Sequence, residues 1–147
     1  MSKRSLTRLG VAVLSLAVLA PSMAPAQAAG EIKIGVITST SGGLATFGTA
    51  YNEGLEWGLK YYTGGKMTIN GQKLVVTTKD DGGDPASATA SFKEMVGNGT
   101  KIIAGTASSA VALTLAPLAQ QNKVLYISGP AKNDLVTSAA NKYVFRS

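Results

Sequence analysis

The chain has 147 residues, with 14 Lys and Arg against 8 Asp and Glu and neither His nor Cys. Those two absences exclude a serine–histidine triad, a histidine metal site and a thiol nucleophile. Half of the net charge of +6 comes from Lys3, Arg4 and Arg8; beyond residue 28 eleven basic residues face eight acidic ones with no Lys/Arg cluster, so nucleic acid is not an expected partner.

The first elements are an address. After the basic start, Leu9 to Ala20 is apolar, Pro21 breaks the run, and Ala24 to Ala29 is rich in small residues. This is the pattern of a secretory signal peptide, residues 1–28, with Ala26 and Ala28 as the small residues before the cut. The apolar core is much shorter than the ~20 residues that span a bilayer. Export to the periplasm without a membrane anchor is therefore expected. With no Cys, lipid attachment at a new N-terminus is closed and the exported chain must rely on its core rather than on disulfides.

Strands and helices then alternate. Glu31 to Thr38 is an apolar strand and Ser39 to Gly43 a turn, and Thr49 to Tyr62 has helical period with Tyr51, Leu55, Leu59 and Tyr62 on one face. Gly54 and Gly58, four apart, predict close approach of this helix to a sheet. Gly64-Gly65 ends it, and Asn70-Gly71 predicts a hairpin between Met67–Ile69 and Lys73–Thr78. That second strand ends near Lys79-Asp80. Asp84-Pro85 reads as an N-cap followed by proline at the first helical position, opening a helix with Ala88, Phe92, Met95 and Val96 inward.

The second half repeats the pattern. Lys101 to Ala104 is a short buried strand, Gly105 to Ser109 a turn, and Val111 to Gln121 a helix that Pro117 must kink or divide. Val124 to Ile127 is the next strand, followed by a loop from Ser128 to Asp134. Tyr143 to Phe145 has the look of a strand that has only begun, so the sequence is expected to be a piece of a longer protein.

An alternating α/β chain keeps its ligands in the loops that follow strands. The turn at Ala107-Ser-Ser109 stands where free N–H groups at a helix N-terminus favour a carboxylate or phosphate, and where a serine is equally suited to be only the cap. Catalytic motifs are weaker. Gly105-Thr-Ala-Ser108 puts its serine one place late for a nucleophile elbow, and Gly64-Gly-Lys-Met67 lacks the spacing and hydroxyl of a phosphate loop. Asp80, Asp81 and Asp84 fit strand exit and helix capping better than a metal site. Nothing here demands an enzyme or a cofactor.

The motifs assemble into a resemblance. Ile32 to Ser39, Ser41 to Gly48, Asn70 to Leu74, Asp80 to Pro85, Ile103 to Ser109, Leu115 to Ala119 and Val124 to Ala131, in this order and spacing, resemble the branched-chain amino-acid (Leu/Ile/Val) binding proteins of ABC importers, a family of type I periplasmic binding proteins. The resemblance implies two α/β lobes joined by hinge strands, with a small amino acid or related carboxylate trapped between them and delivered to a membrane permease. Residues 29–147 would be the first lobe, a Rossmann-like three-layer unit with a mostly parallel sheet, and the complete protein a monomer. Ser108 and Ser109 would hold the ligand carboxylate, Phe47 would line the pocket, and Gly129, Pro130 and Ala131 would receive the α-amino end.

One departure stands out. Near the end of the third loop, where the amino-acid binders often carry a hydroxyl, this chain has Lys132. A cation beside an ammonium is unfavourable, so either Lys132 points outward or the ligand is not a simple neutral amino acid. The alternatives are an aromatic acid or short amide as ligand, a ligand-sensing domain of a membrane receptor, and an exported enzyme with its catalytic residues elsewhere.

Overall fold

The computed structural model describes residues 30–138 and 141–147, so the signal peptide expected over residues 1–28 lies outside the described residues. Six strands form one sheet in the order β2-β3-β1-β4-β5-β6. They are β1 (Glu31–Thr38), β2 (Thr68–Ile69), β3 (Gln72–Asp80), β4 (Ile102–Gly105), β5 (Leu125–Ser128) and β6 (Val144–Arg146). All neighbours are parallel except the β2–β3 hairpin. The helices are α1 (Ala45–Tyr62), α2 (Pro85–Gly97), α3 (Ser109–Asn122) and the short α4 (Leu135–Ser138).

Alternation along β1 divides the layers. A side chain at Gly35 would run into Met95 of α2 and Ile103, and Ile37 joins the core cluster with Phe92, Met95, Ile103, Leu115 and Tyr126. Residues of opposite parity, Ile34 and Val36, must then face the other way. On that face Val36 is in register with Thr78, whose hydroxyl donates to Asn52 of α1 at 2.9 Å. The sheet thus lies between α1 on one side and α2 with α3 on the other, the three-layer α/β lobe that the sequence leads one to expect.

Several local expectations hold and several need correction. Asn70 and Gly71 both adopt positive φ, 50° and 78°, as a two-residue hairpin turn requires. Asp84 caps α2 by accepting from the Ser87 N–H at 2.8 Å, with Pro85 in the first turn. Helix α1 starts at Ala45 rather than Thr49, because a 3₁₀ turn over Gly42–Leu44 leads directly into it. Its expected inner face is half right. Tyr51, Leu55 and Leu59 are half-buried, but Tyr62 is 88% exposed, since the helical stripe continues past the part of α1 that packs on the sheet. Gly54 and Gly58 do not mediate close approach, for a side chain at either would meet open space. Helix α3 is not divided at Pro117, which sits on its exposed side. The last strand falls one residue later than expected, at Val144–Arg146.

Candidate functional site

Strand order makes the site. From β1 the chain crosses by α1 to β3 on one side, and from β4 it crosses by α3 to β5 on the other. The loops leaving β1 and β4 diverge to opposite faces, which opens a crevice at the carboxyl ends of these adjacent strands.

A buried carboxylate locks the loops around that crevice. Asp81, 1% exposed, accepts from the Ser39 hydroxyl at 2.6 Å, from the Gly83 N–H at 2.7 Å and from the Thr106 hydroxyl. One side chain after β3 thereby joins the exits of β1 and β4. Beside it the exposed Asp80 accepts from the Thr40 N–H at 2.8 Å, the Ser41 N–H at 3.2 Å and the Gly82 N–H at 3.0 Å. The Ser41 hydroxyl and then the Gly82 N–H hold the Asp80 carboxyl well below the usual carboxylate range. Both acids are thus engaged in holding loops, and Asp84 is engaged as a cap.

Helix α1 is drawn onto this frame at two places. Gly48 is buried, and a side chain there would overlap the Ser39 carbonyl, so α1 passes the β1 exit at a distance only glycine permits. Three residues on, the Tyr51 ring lies where a Gly129 side chain would have to go. Burial raises the Tyr51 pKa, with the Gly105 backbone acting in the opposite sense. Tyr126 is fully buried beneath the same strand ends; burial raises its pKa far above the ordinary phenol value, opposed by the nearby Ser128 hydroxyl.

The structure separates the two serines. Ser108 is 7% exposed and is the N-cap of α3, its hydroxyl accepting from the Val111 N–H at 3.4 Å while its own N–H donates to the Thr106 hydroxyl at 3.3 Å. Ser109 is half-buried and lines an open cavity of about 250 Å³ together with Leu44, Phe47, Ala107, Pro130 and Lys132. The first-turn N–H groups of Ser109 and Ala110 have no acceptor within the helix. Here a hydroxyl, N–H donors and the positive end of a helix dipole adjoin a largely apolar wall. Such a surface can hold the oxygens of a small anion at one end and an apolar body at the other.

The third loop is pinned from below. The Gly129 N–H donates to the Gly105 carbonyl at 3.0 Å and the Ala131 N–H to the Thr106 carbonyl at 3.1 Å. Gly129 and Ala131 are buried, so Pro130 and Lys132 are the members of this loop that reach the cavity shared with Phe47 and Ser109. Phe47 is 60% exposed on its rim. Phe47, Ser109 and Pro130 therefore come together; Ser108 caps α3 beside them, and Gly129 and Ala131 line an adjoining open cavity with Pro130, Lys132, Asp134, Arg146 and Ser147. Asp81, Thr106, Gly48 and Tyr51 escaped the sequence reading as site-forming residues. Only the tight Ser/Gly spacing after β1 hinted at any of them.

Comparison with known proteins is consistent in kind. A family model described as periplasmic binding protein matches residues 31–147. The Leu/Ile/Val-binding protein homolog 3 of Brucella melitensis is 30% identical over 138 residues, covering 92% of this chain and 37% of that protein. An ABC-type branched-chain amino acid transporter protein of Rhodopseudomonas palustris superposes with a TM-score of 0.76 at 39% identity, over 80% of this chain and 32% of that one. A solute binding protein of an ABC transporter from Rhodopseudomonas palustris BisB5, solved with 3,4-dihydroxybenzoic acid, gives 0.72 at 31% identity over 79% and 31% of the two chains. These relatives are transport and binding proteins rather than enzymes. The chain spans little more than a third of the length of the curated relative.

Proposed function

From the premise that this chain belongs to the periplasmic binding protein family, matched over residues 31–147, we propose that residues 29–147 are the first lobe of a two-lobed, exported substrate-binding protein of an ABC importer. The lobe supplies one wall of a cleft that captures a small carboxylate, an amino acid or a related acid, for delivery to a membrane permease. The observation that carries this reading is the cavity over the N-terminus of α3, where Ser109 meets the apolar side chains of Leu44, Phe47 and Pro130.

The physical case is one of placement. Carboxylate oxygens are well matched to N–H groups at a helix N-terminus and to a hydroxyl beside them. The body of the ligand then rests against Phe47 and Pro130, and an opposing lobe closes over it to exclude water. The 37% share of the curated relative leaves ample length for such a lobe. Its ligand class is suggested from two sides: one relative is a Leu/Ile/Val-binding homolog, and another was solved with an aromatic acid. The residue 1–28 segment carries the export.

A thermal-shift screen of the two-lobed protein against amino acids, 2-oxo acids and aromatic carboxylates tests the reading. Binding to the native state raises the melting temperature by mass action, by an amount that grows with ligand concentration. A rise for members of one carboxylate class is the expected outcome. No shift with any small carboxylate at millimolar concentration overturns the proposal.

A further inference from the structure

Resting on the reading of this cavity as a carboxylate site, we propose that Thr106 is a positioning residue for binding, one that holds the donors at the start of α3 and the apolar wall of the third loop at a fixed spacing. The proposal comes from where its two oxygens go. The Thr106 hydroxyl accepts from the Ser108 N–H at 3.3 Å, and the Thr106 carbonyl accepts from the Ala131 N–H at 3.1 Å. Each of those N–H groups belongs to the neighbour of a residue that lines the cavity: Ser108 precedes Ser109, and Ala131 follows Pro130.

A hydroxyl that accepts from the N–H two residues on is ordinary turn chemistry. What lies behind this one is not local. Thr106 is fully buried, and its hydroxyl also meets the carboxylate of Asp81, 25 residues earlier in the chain. Asp81 is itself fixed by the Ser39 hydroxyl at 2.6 Å and the Gly83 N–H at 2.7 Å. A carboxylate only accepts, so the hydroxyl proton is committed to Asp81 and a lone pair of the same oxygen is left for the Ser108 N–H. Position 106 therefore needs a group that donates and accepts at once. Serine keeps both abilities, whereas valine has the shape of threonine and neither ability.

The consequence is geometric. Ser109 stands on α3 and Pro130 on the loop after β5, and Thr106 is bonded to the neighbour of each. Their spacing decides whether a carboxylate seated at the helix N-terminus leaves its body against Pro130. Loss of the hydroxyl frees the first turn of α3 from the β3 exit while the bond from Ala131 to the carbonyl stays, so Ser109 shifts relative to Pro130. Thr106 is absent from the residues that line the cavity, and its effect on a ligand is exerted through Ser109.

The test is calorimetry on the two-lobed protein with leucine, 4-methyl-2-oxopentanoate and 3,4-dihydroxybenzoate as probes, the tightest binder being carried through the series. Thr106→Val is expected to weaken it about tenfold, and Thr106→Ser to stay within about threefold of the parent. A double-mutant cycle with Ser109→Ala supplies the readout that general loosening of the fold would not move: with the Ser109 hydroxyl already gone, Thr106→Val should cost about threefold or less. All affinities are measured at a temperature where melting curves show each variant folded. Should Thr106→Val not fold, Asp81→Asn takes its place, because a carboxamide N–H turned toward Thr106 reverses the hydroxyl and withdraws its lone pair from Ser108. Parent-like binding by the hydroxyl-free variant, or a loss that is equal in both backgrounds and that Thr106→Ser shares, overturns the inference and leaves the binding-protein reading standing. A parent protein that binds none of these probes and no other acid of the thermal-shift screen removes the carboxylate site itself, and the inference with it.

Discussion

Ser108 and Ser109 show how two identical neighbours acquire different work. The first is buried with its hydroxyl over the Val111 N–H, and the second opens onto the cavity. Ser108→Ala should cost about 1 kcal/mol of folding stability through loss of the cap. Ser109→Ala should leave stability nearly unchanged and weaken a bound carboxylate by about 1.5–3 kcal/mol. Urea denaturation and calorimetry on both variants separate the effects; an affinity loss confined to Ser108→Ala would reverse the assignment. Asp80 gives a second prediction at this scale. Its carboxyl pKa lies below the usual value of 3.8, so its contribution to stability is fully present above that pH and is lost as pH falls through the lowered folded-state value. Asp80→Asn should therefore be less stable than the parent at neutral pH, with the gap closing in acid. Melting curves across the acid range check this, and a gap independent of pH would contradict it.

At the scale of elements, what was legible in the sequence was local. The Asn70-Gly71 turn and the Asp84-Pro85 cap each depend on residues within a few positions of each other, and both stand as read. Which glycine meets a neighbour is a tertiary matter. Spacing pointed to Gly54 and Gly58, yet the contact is at Gly48, where the β1 exit comes up against the first turns of α1. The Asp81 clamp was equally out of reach, because its partners Ser39 and Thr106 are 42 and 25 residues away. A pair of substitutions separates the two kinds of glycine. Gly48→Ala forces a methyl into the Ser39 carbonyl and should destabilise by about 1–3 kcal/mol. Gly54→Ala meets open space in an exposed stretch of helix and should stabilise by up to about 1 kcal/mol. Equal effects in chemical denaturation would mean that α1 does not lie against Ser39.

At the scale of the molecule, the proposed function makes the crevice between the β1 and β4 exits one wall of a binding site that needs a second. A good site buries roughly 70–90% of its ligand, which an open cavity walled by Phe47, Ser109 and Pro130 does not do alone. Loss of even ~4 kcal/mol would convert micromolar affinity to millimolar. Titration of residues 29–147 alone should therefore show little binding where the two-lobed protein binds well, and equal affinities would contradict an inter-lobe site. The family resemblance was legible because its motifs are short runs, several of them Ser/Gly-rich loops after strands, that keep a fixed order and spacing along the chain. The sequence raised the question of Lys132 but left its place open; in the structure it lines the same cavity as Ser109, 23 positions earlier in the chain.

The most direct test of the central claim is a crystal structure of the two-lobed protein with its best-binding carboxylate. The account predicts ligand oxygens at about 3 Å from the hydroxyl or N–H of Ser109, with the ligand body against Phe47 and Pro130. A ligand held elsewhere, with the N-terminus of α3 contacted only by solvent, would contradict it.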